Sequence, residues 1–232
     1  MLCLALAVAG CSLTDQTPVY RYRLTVEVDT PDGVKTGSSV IEVDTEVAGG
    51  YSIPTPGRVT NRVRGEAVTV DLGGGRVLFA LLRSEADIDW VGRVMYRLSP
   101  QYAGENALRD GYRNMLRHRP ERTVPRHFSR ADQVNKRSAY PMLVTFGDLD
   151  DPTSVERVDP DDLAATFGEG VSLKRITVQV TDDPVTSGIG QRLGWLNRTK
   201  GTLLSRPRDT PIGQLPIEYQ VGKISFVRSD GQ

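Results

Sequence analysis

Carboxylates crowd the stretch from residue 148 to residue 169, and carboxylate oxygens are the ligands that hard cations prefer. This acidic run holds eight Asp or Glu residues against one base, Arg157. It opens with Asp148, Asp150 and Asp151, whose spacing is typical of the start of a calcium-binding loop. The rest of the loop pattern fails, because a proline and a threonine stand where a ligand and a glycine belong. We therefore interpret these carboxylates as turn-forming and helix-capping residues, with a cation site at the three aspartates as the alternative.

The preceding stretch, Arg109 to Arg137, carries the opposite charge. This basic run has nine Lys or Arg residues against three acids, a net charge of +6 (9 − 3), whereas the acidic run has −7 (1 − 8). On a helix, Arg109, Arg113 and Arg117 would share one face, because they are spaced at i, i+4 and i+8. Such a stripe suits an anionic surface, such as lipid headgroups, or an intramolecular contact. The near cancellation of charge favours docking of the basic run on the acidic run.

Nucleophilic and acid–base chemistry has few candidates in this chain. There are two histidines, His118 and His127, and no Gly-x-Ser-x-Gly motif. Ser129 lies near His127 in sequence, but a catalytic triad is defined by geometry in space. A pair of Asp or Glu side chains that hydrolyses a glycan stays open, because the fold sets the separation of such a pair. We assign no catalytic residue and expect no cofactor and no metal.

The two cysteines, Cys3 and Cys11, both lie at the N-terminus. Residues 1–10 are apolar and end in small side chains, and the sequence from Leu6 to Cys11 reads LAVAGC. This pattern resembles the lipobox of bacterial lipoproteins. The resemblance implies that residues 1–10 are a signal peptide, that Cys11 carries the lipid, and that Ser12 directs the protein to the outer membrane. Several acyl chains on one cysteine are enough for stable anchoring.

This N-terminal segment is shorter than a usual signal peptide and has no basic start. Either the natural start codon lies upstream of Met1 or the chain is truncated. The alternative interpretation is a buried N-terminal strand or helix with Cys11 as a core thiol. No other stretch has the 18 or more apolar residues of a transmembrane helix. We expect residues 11–18 to form a tether and residues 19–232 to form a single domain.

The elements that would position these residues predict an α+β fold with a mainly antiparallel sheet and a few short helices. Residues 140–182 form its predicted centre: a strand, an acidic loop, a short helix that starts at Asp159-Pro160 and ends at Gly168, and a second strand. The same residues resemble segments of an uncharacterised bacterial family with no assigned activity, which implies a shared fold. Outside this unit, the pattern predicts a hairpin at Val19–Val47 that turns at Pro31-Asp32-Gly33, strands at Arg62–Leu72, Val77–Leu82 and Tyr219–Arg228, and helices within Ser84–Arg97, Ala103–Leu116 and Ser187–Gly201.

A net charge of zero gives no global field that would attract nucleic acid, and aromatic residues are sparse in the basic run. We therefore expect a lipid-anchored protein of the cell envelope that faces the periplasm and acts by binding or scaffolding. Its expected partners are the membrane and an envelope protein. The alternative from another class is an envelope hydrolase that acts on glycan or peptide through Asp or Glu residues.

Overall fold

A computed structural model describes residues 14–48, 58–100, 107–117, 119–204 and 215–229 of the protein. The lipobox with Cys11 lies outside these ranges, and so does His118. The fold is α+β, as the sequence predicts, and its strands form two antiparallel sheets. We call these the large sheet and the small sheet.

The predicted N-terminal hairpin is confirmed, and it forms the middle of the large sheet. Strand β2 (Tyr20–Thr30) pairs with β3 (Gly33–Ala48) in continuous antiparallel register. The connection is a two-residue turn that Gly33 closes with a φ of 101°, a conformation that glycine adopts easily. Alternate residues of β2 are buried, so one face of the hairpin is dry and the other is wet.

The other strands of the large sheet extend the hairpin on both sides. The order across the sheet is β7-β10-β2-β3-β4-β11, and β1 pairs with the far end of β3. These added strands are β1 (Thr14–Gln16), β4 (Val59–Glu66), β7 (Arg122–Thr123), β10 (Ser172–Val180) and β11 (Val227–Arg228). Strand β1 lies inside the segment predicted to be a tether, so residues 14–16 belong to the folded body.

The small sheet has the order β5-β6-β8-β9. Its strands are β5 (Val68–Gly73), β6 (Arg76–Ala80), β8 (Leu143–Phe146) and β9 (Val155–Val158). The prediction of one strand over Arg62–Leu72 is wrong, because the chain passes from β4 in the large sheet to β5 in the small sheet at Ala67. The prediction that Val77–Leu82 lies within a sheet is confirmed, since β6 has a partner on each side.

The unit predicted as the centre of the fold joins the two sheets. Its first strand, β8, belongs to the small sheet and its second, β10, to the large sheet, with the unpredicted β9 between them. Helix α4 (Ala164–Phe167) begins later than predicted, because Asp159 caps a turn through the amide of Asp161 instead of starting the helix. Gly168 ends the helix with a φ of 99°, as expected.

Short helices cover parts of both sheets. They are α1 (Trp90–Arg97), α2 (Ala107–Arg117), α3 (Arg130–Val134), α5 (Ile189–Arg192) and α6 (Lys223–Phe226), with 3₁₀ turns at Pro152–Ser154, Gly194–Asn197 and Ile217–Tyr219. The final strand predicted over Tyr219–Arg228 is wrong: Tyr219 ends a 3₁₀ turn, α6 occupies Lys223–Phe226, and only Val227–Arg228 form a strand, β11. A helical turn buries Val221, Ser225 and Phe226 together and leaves Ile224 exposed, which an extended strand would not do.

Two hydrophobic cores lie on the two sides of the small sheet. The main core packs Tyr22, Leu24 and Val26 of the large sheet against one face of the small sheet, with α1 and α2 at its edge. The second core packs the opposite face, including Phe79 and Phe146, against the C-terminal segment from residue 189. The inner strands of the small sheet, β6 and β8, are therefore buried on both faces, while the large sheet is buried on one.

Candidate functional site

A cleft with a volume of about 470 Å³ lies between α1 and the segment that carries α3. We call it the α1–α3 cleft. Aromatic, cationic and anionic side chains share its walls. The residues that carry its chemistry are Asp87, Trp90, Arg93, Arg97, Phe128 and Asp132.

Ion pairs and a ring contact hold the cationic wall of the cleft in place. Arg93 donates to the carboxylate of Asp87 at 3.1 and 3.2 Å. Arg97 donates to Asp132 at 3.2 Å, and its guanidinium lies 4.7 Å from the centre of the Phe128 ring. Two arginines one helical turn apart are thus presented on a fixed surface, which suits a partner with acidic or hydrogen-bond-accepting groups.

The carboxylates of the cleft have the surroundings of structural residues. Asp132 accepts from the hydroxyl of Ser129 at 2.7 Å as well as from Arg97, and Asp87 accepts from the amide of Asp89 at 2.9 Å as well as from Arg93. A general acid of a glycosidase needs an apolar environment that keeps its carboxyl protonated. In this cleft each carboxylate instead accepts from an arginine, Asp87 from Arg93 and Asp132 from Arg97.

His127 and Ser129 do not form a catalytic pair. The Nδ1 atom of His127 lies 2.8 Å from the carbonyl oxygen of Arg137, and since a carbonyl only accepts, Nδ1 carries the proton. The hydroxyl of Ser129 caps α3 by accepting from the amide of Asp132 at 3.1 Å, and it donates to the carboxylate of the same residue. Both side chains therefore position the loop that forms one wall of the cleft.

The three aspartates considered for cation binding form turns. Asp148 accepts from the amide of Asp150 at 2.9 Å, and Asp151 accepts from the amide and hydroxyl of Thr153 at 2.8 and 2.7 Å. The hydrogen bond from the Thr153 hydroxyl lowers the pKa of Asp151. Among the described residues, no group of three or more His, Cys, Asp or Glu side chains is arranged to hold a metal ion. The interpretation as turn chemistry accounts for these contacts.

The basic stripe lies on α2, as the sequence predicts. Arg113 and Arg117 are exposed there, and within the described ranges neither side chain has a hydrogen bond or an ion pair. Arg109 belongs to the same helix, but its side chain lies outside the described part of the structure. The described side chains of the stripe are therefore not docked on the acidic run.

The basic and acidic runs nevertheless meet at Arg126 and Asp161. Three donor–acceptor contacts of 2.8 to 3.1 Å join the guanidinium to both carboxylate oxygens. The hydrogen bonds from Arg126 lower the pKa of Asp161. Two other charges of the runs pair elsewhere, Arg119 with Asp182 and Arg157 with Glu85. The docking hypothesis is thus confirmed at this ion pair and wrong for Arg113 and Arg117.

The α1–α3 cleft itself was not predicted. A weak signal was present, because Asp89, Arg93 and Arg97 follow one another at four-residue intervals and so share a helix face. Nothing in the sequence indicates that Phe128 and Asp132 lie opposite that face, since the contact between Arg97 and Asp132 spans 35 residues.

Comparison with known proteins adds no relative from which a function could be transferred. No helix among the described residues is long and apolar enough to cross a membrane. Comparisons with protein-family models, with curated proteins and with solved structures found no match for the chain.

Proposed function

We propose that the protein is a lipid-anchored component of the cell envelope, attached to the outer membrane through Cys11 and facing the periplasm, and that it acts by binding or scaffolding. The observation that carries the proposal is the lipobox from Leu6 to Cys11, and the position of β1 adds to it. This strand begins at Thr14, three residues after Cys11, and pairs with β3 from Thr14–Ala48 to Gln16–Glu46. The folded body therefore starts almost directly after the lipobox.

The short spacer sets how far the body can stand from the membrane. Three residues of extended chain span about 10 Å. A body held that close to a bilayer is suited to organising partners at the membrane surface, whereas a long flexible linker would let it reach distant ones. Because residues 14–16 form a strand, fewer residues separate the folded body from Cys11 than the expected tether over residues 11–18 would provide. The short separation supports the scaffolding proposal.

The α1–α3 cleft is the surface that we propose for the envelope protein partner. Its exposed arginines beside the aromatic ring of Phe128 have the composition that is enriched at protein interfaces.

Lipid labelling tests the anchor directly. In cells that express the protein from its natural start codon and are fed a palmitate analogue, we expect the wild type to be labelled and to sediment with membranes. Cys11→Ser should lose both properties, because it removes the acceptor thiol. Cys3→Ser is the matched control, since it changes the same atom type within the segment that the peptidase removes, and it should keep both. Labelled Cys11→Ser protein would contradict the proposal.

The hydrolase alternative has its own test. Purified protein incubated with peptidoglycan or with an unfolded protein substrate should release no soluble fragments. Release that is abolished by Asp87→Asn or Asp132→Asn would overturn the assignment of a binding role, because these carboxylates line the cleft. Neither change should disturb membrane attachment, so the two tests are independent.

A further inference from the structure

We infer that the exposed face of α2, together with Val19, binds the anionic phospholipid headgroups of the membrane to which the protein is anchored. The inference rests on the proposed function, because the anchor at Cys11 decides which end of the body meets the bilayer. It names the surface and the lipid chemistry that hold the body in one orientation.

Helix α2 lies at the same end of the large sheet as the proposed anchor. Leu116 of α2 lines a groove together with Val19 and Tyr20 at the start of β2. Tyr20 pairs with Val43 of β3, and Thr14 of the first strand pairs with Ala48, five residues further along β3. The first strand and α2 therefore lie at the same end of the large sheet.

Apolar surface accompanies the arginines at this end. Val19 has 55% of its surface exposed, and it lines a groove of about 370 Å³ together with Leu116 of α2 and Val180. Apolar side chains beside cations are typical of surfaces that enter the headgroup region of a bilayer. Exposed apolar side chains next to arginines would not stabilise a surface that contacts only water.

The charge of α2 matches an anionic surface. The helix contains three arginines and one aspartate, Asp110, so its net charge is +2 (3 − 1). Arg113 and Arg117 have no partner within the described ranges, whereas Arg119, just beyond the helix, is paired with Asp182. The attraction of each arginine to an anionic bilayer corresponds to roughly 5-fold in affinity, and that of two arginines to roughly 30-fold.

Vesicle binding by the Cys11→Ser protein separates this contact from the anchor. We expect this protein to sediment with vesicles of equal parts phosphatidylglycerol and phosphatidylcholine at low salt, and not with pure phosphatidylcholine vesicles. Arg113→Gln with Arg117→Gln should weaken binding roughly 30-fold, and high salt should abolish it because the Debye length shrinks. Val19→Ser should weaken binding further.

The matched control is Arg198→Gln with Lys200→Gln. Both side chains are exposed, and they follow the 3₁₀ turn that contains Trp195, on the side of the second core. The control has the same change in net charge, so it should bind phosphatidylglycerol vesicles like the parent protein.

Two results would overturn the inference: equal binding to both kinds of vesicle, or equal loss in the control and in the α2 variant. If either result occurred while Cys11 was labelled normally with palmitate, the contact of α2 with lipid would be rejected. The proposed anchor would not be affected. Loss of labelling in the wild type would instead remove the anchor, whatever the vesicles show.

Discussion

The large sheet has one wet face, whereas the two inner strands of the small sheet, β6 and β8, are buried on both faces. In β2 every second residue from Tyr20 to Val28 is buried, and Arg21, Arg23 and Glu27 occupy the other face. In β6 the consecutive residues from Val77 to Ala80 are all buried. Strand β2 thus has paired charges on its wet face, whereas β6 packs apolar side chains on both faces.

Different forces stabilise the two sheets. On the wet face, Arg175 donates to Glu27 at 2.6 and 2.8 Å, and such exposed pairs contribute about 0–1 kcal/mol each. Behind the small sheet, the ring of Phe79 meets those of Phe146 and Phe226 at 5.6 and 6.2 Å between centroids. Buried aromatic side chains contribute several times more. Substitutions on the wet face of the large sheet should therefore change the free energy of unfolding little. Substitutions in the core behind the small sheet should change it much more.

Phe79→Ala should have the largest effect. The side chain is fully buried in the second core, so its removal leaves a cavity and should lower the free energy of unfolding by about 3–5 kcal/mol. Urea denaturation measures the change. Ser38→Ala, on the wet face of β3, is the control and should cost about 0.5 kcal/mol or less. Equal effects would contradict the comparison between the sheets.

Gly37→Ala tests a close approach between the two sheets. A Cβ atom on Gly37 would lie 2.1 Å from the carbonyl oxygen of Thr69 in β5, so β3 and β5 must move apart. We expect a loss of about 1–3 kcal/mol in the free energy of unfolding, the usual cost of overpacking. Thr36→Ala changes the exposed neighbour on the same strand and should be nearly neutral. A neutral Gly37→Ala would show that the sheets are free to separate.

Glu27→Gln tests the best-formed ion pair of the wet face. The hydrogen bonds from Arg175 lower the pKa of Glu27, so the folded state binds its proton more weakly than the unfolded state does. This stabilisation is present above an unfolded pKa of about 4.3 and is lost as the pH falls through the lower folded pKa. At neutral pH the substitution should cost about 0.5–1 kcal/mol.

Urea denaturation across pH measures the difference between wild type and Glu27→Gln, which should shrink on acidification below about pH 5. Glu121→Gln is the control, because Glu121 lies 4.0 Å from the same arginine and is more exposed. A difference that grows with acidity would mean that this pair does not stabilise the fold.

Asp161→Asn should have the smallest effect. It weakens the contact between the basic and acidic runs while Arg126 keeps its position 5.5 Å from the centre of the Tyr140 ring. Since the carboxylate is largely exposed, we expect less than about 0.5 kcal/mol globally but faster amide hydrogen exchange in residues 125–139. Asp182→Asn removes the pair with Arg119 and should leave that segment unchanged. Slow exchange in both variants would show that the runs are held by other contacts.

The strands with clear alternation were predictable because their burial follows directly from the pleat. This holds for the β2–β3 hairpin, where the turn residues also mark the boundary. The switch between β4 and β5 was not predictable, because the apolar pattern continues through Ala67 and only the partners change. The helical turn at Lys223–Phe226 was missed because a four-residue helix is too short for its period to be distinguished from alternation.

Part of the candidate site was also predictable from local sequence patterns. The arginine stripe of α2 follows from helical spacing alone, and the turn chemistry of Asp148 and Asp151 follows from local hydrogen bonding. The α1–α3 cleft was not predictable from the sequence, because its two walls come from segments that are distant in sequence and meet only in the folded chain.

By itself, the sequence determined the α+β class, the central hairpin, the local turns and the helical face of the basic stripe, since each depends on residues within a few positions of one another. Only the tertiary structure decided that the segment from residue 189 covers one face of the small sheet and that Arg126 meets the acidic run. It also decided that Leu116 of α2 lines one groove with Val19. The physical reason is that these features depend on which distant segments pack together and exclude water from each other. The spacing of residues within one segment does not determine which other segment it packs against.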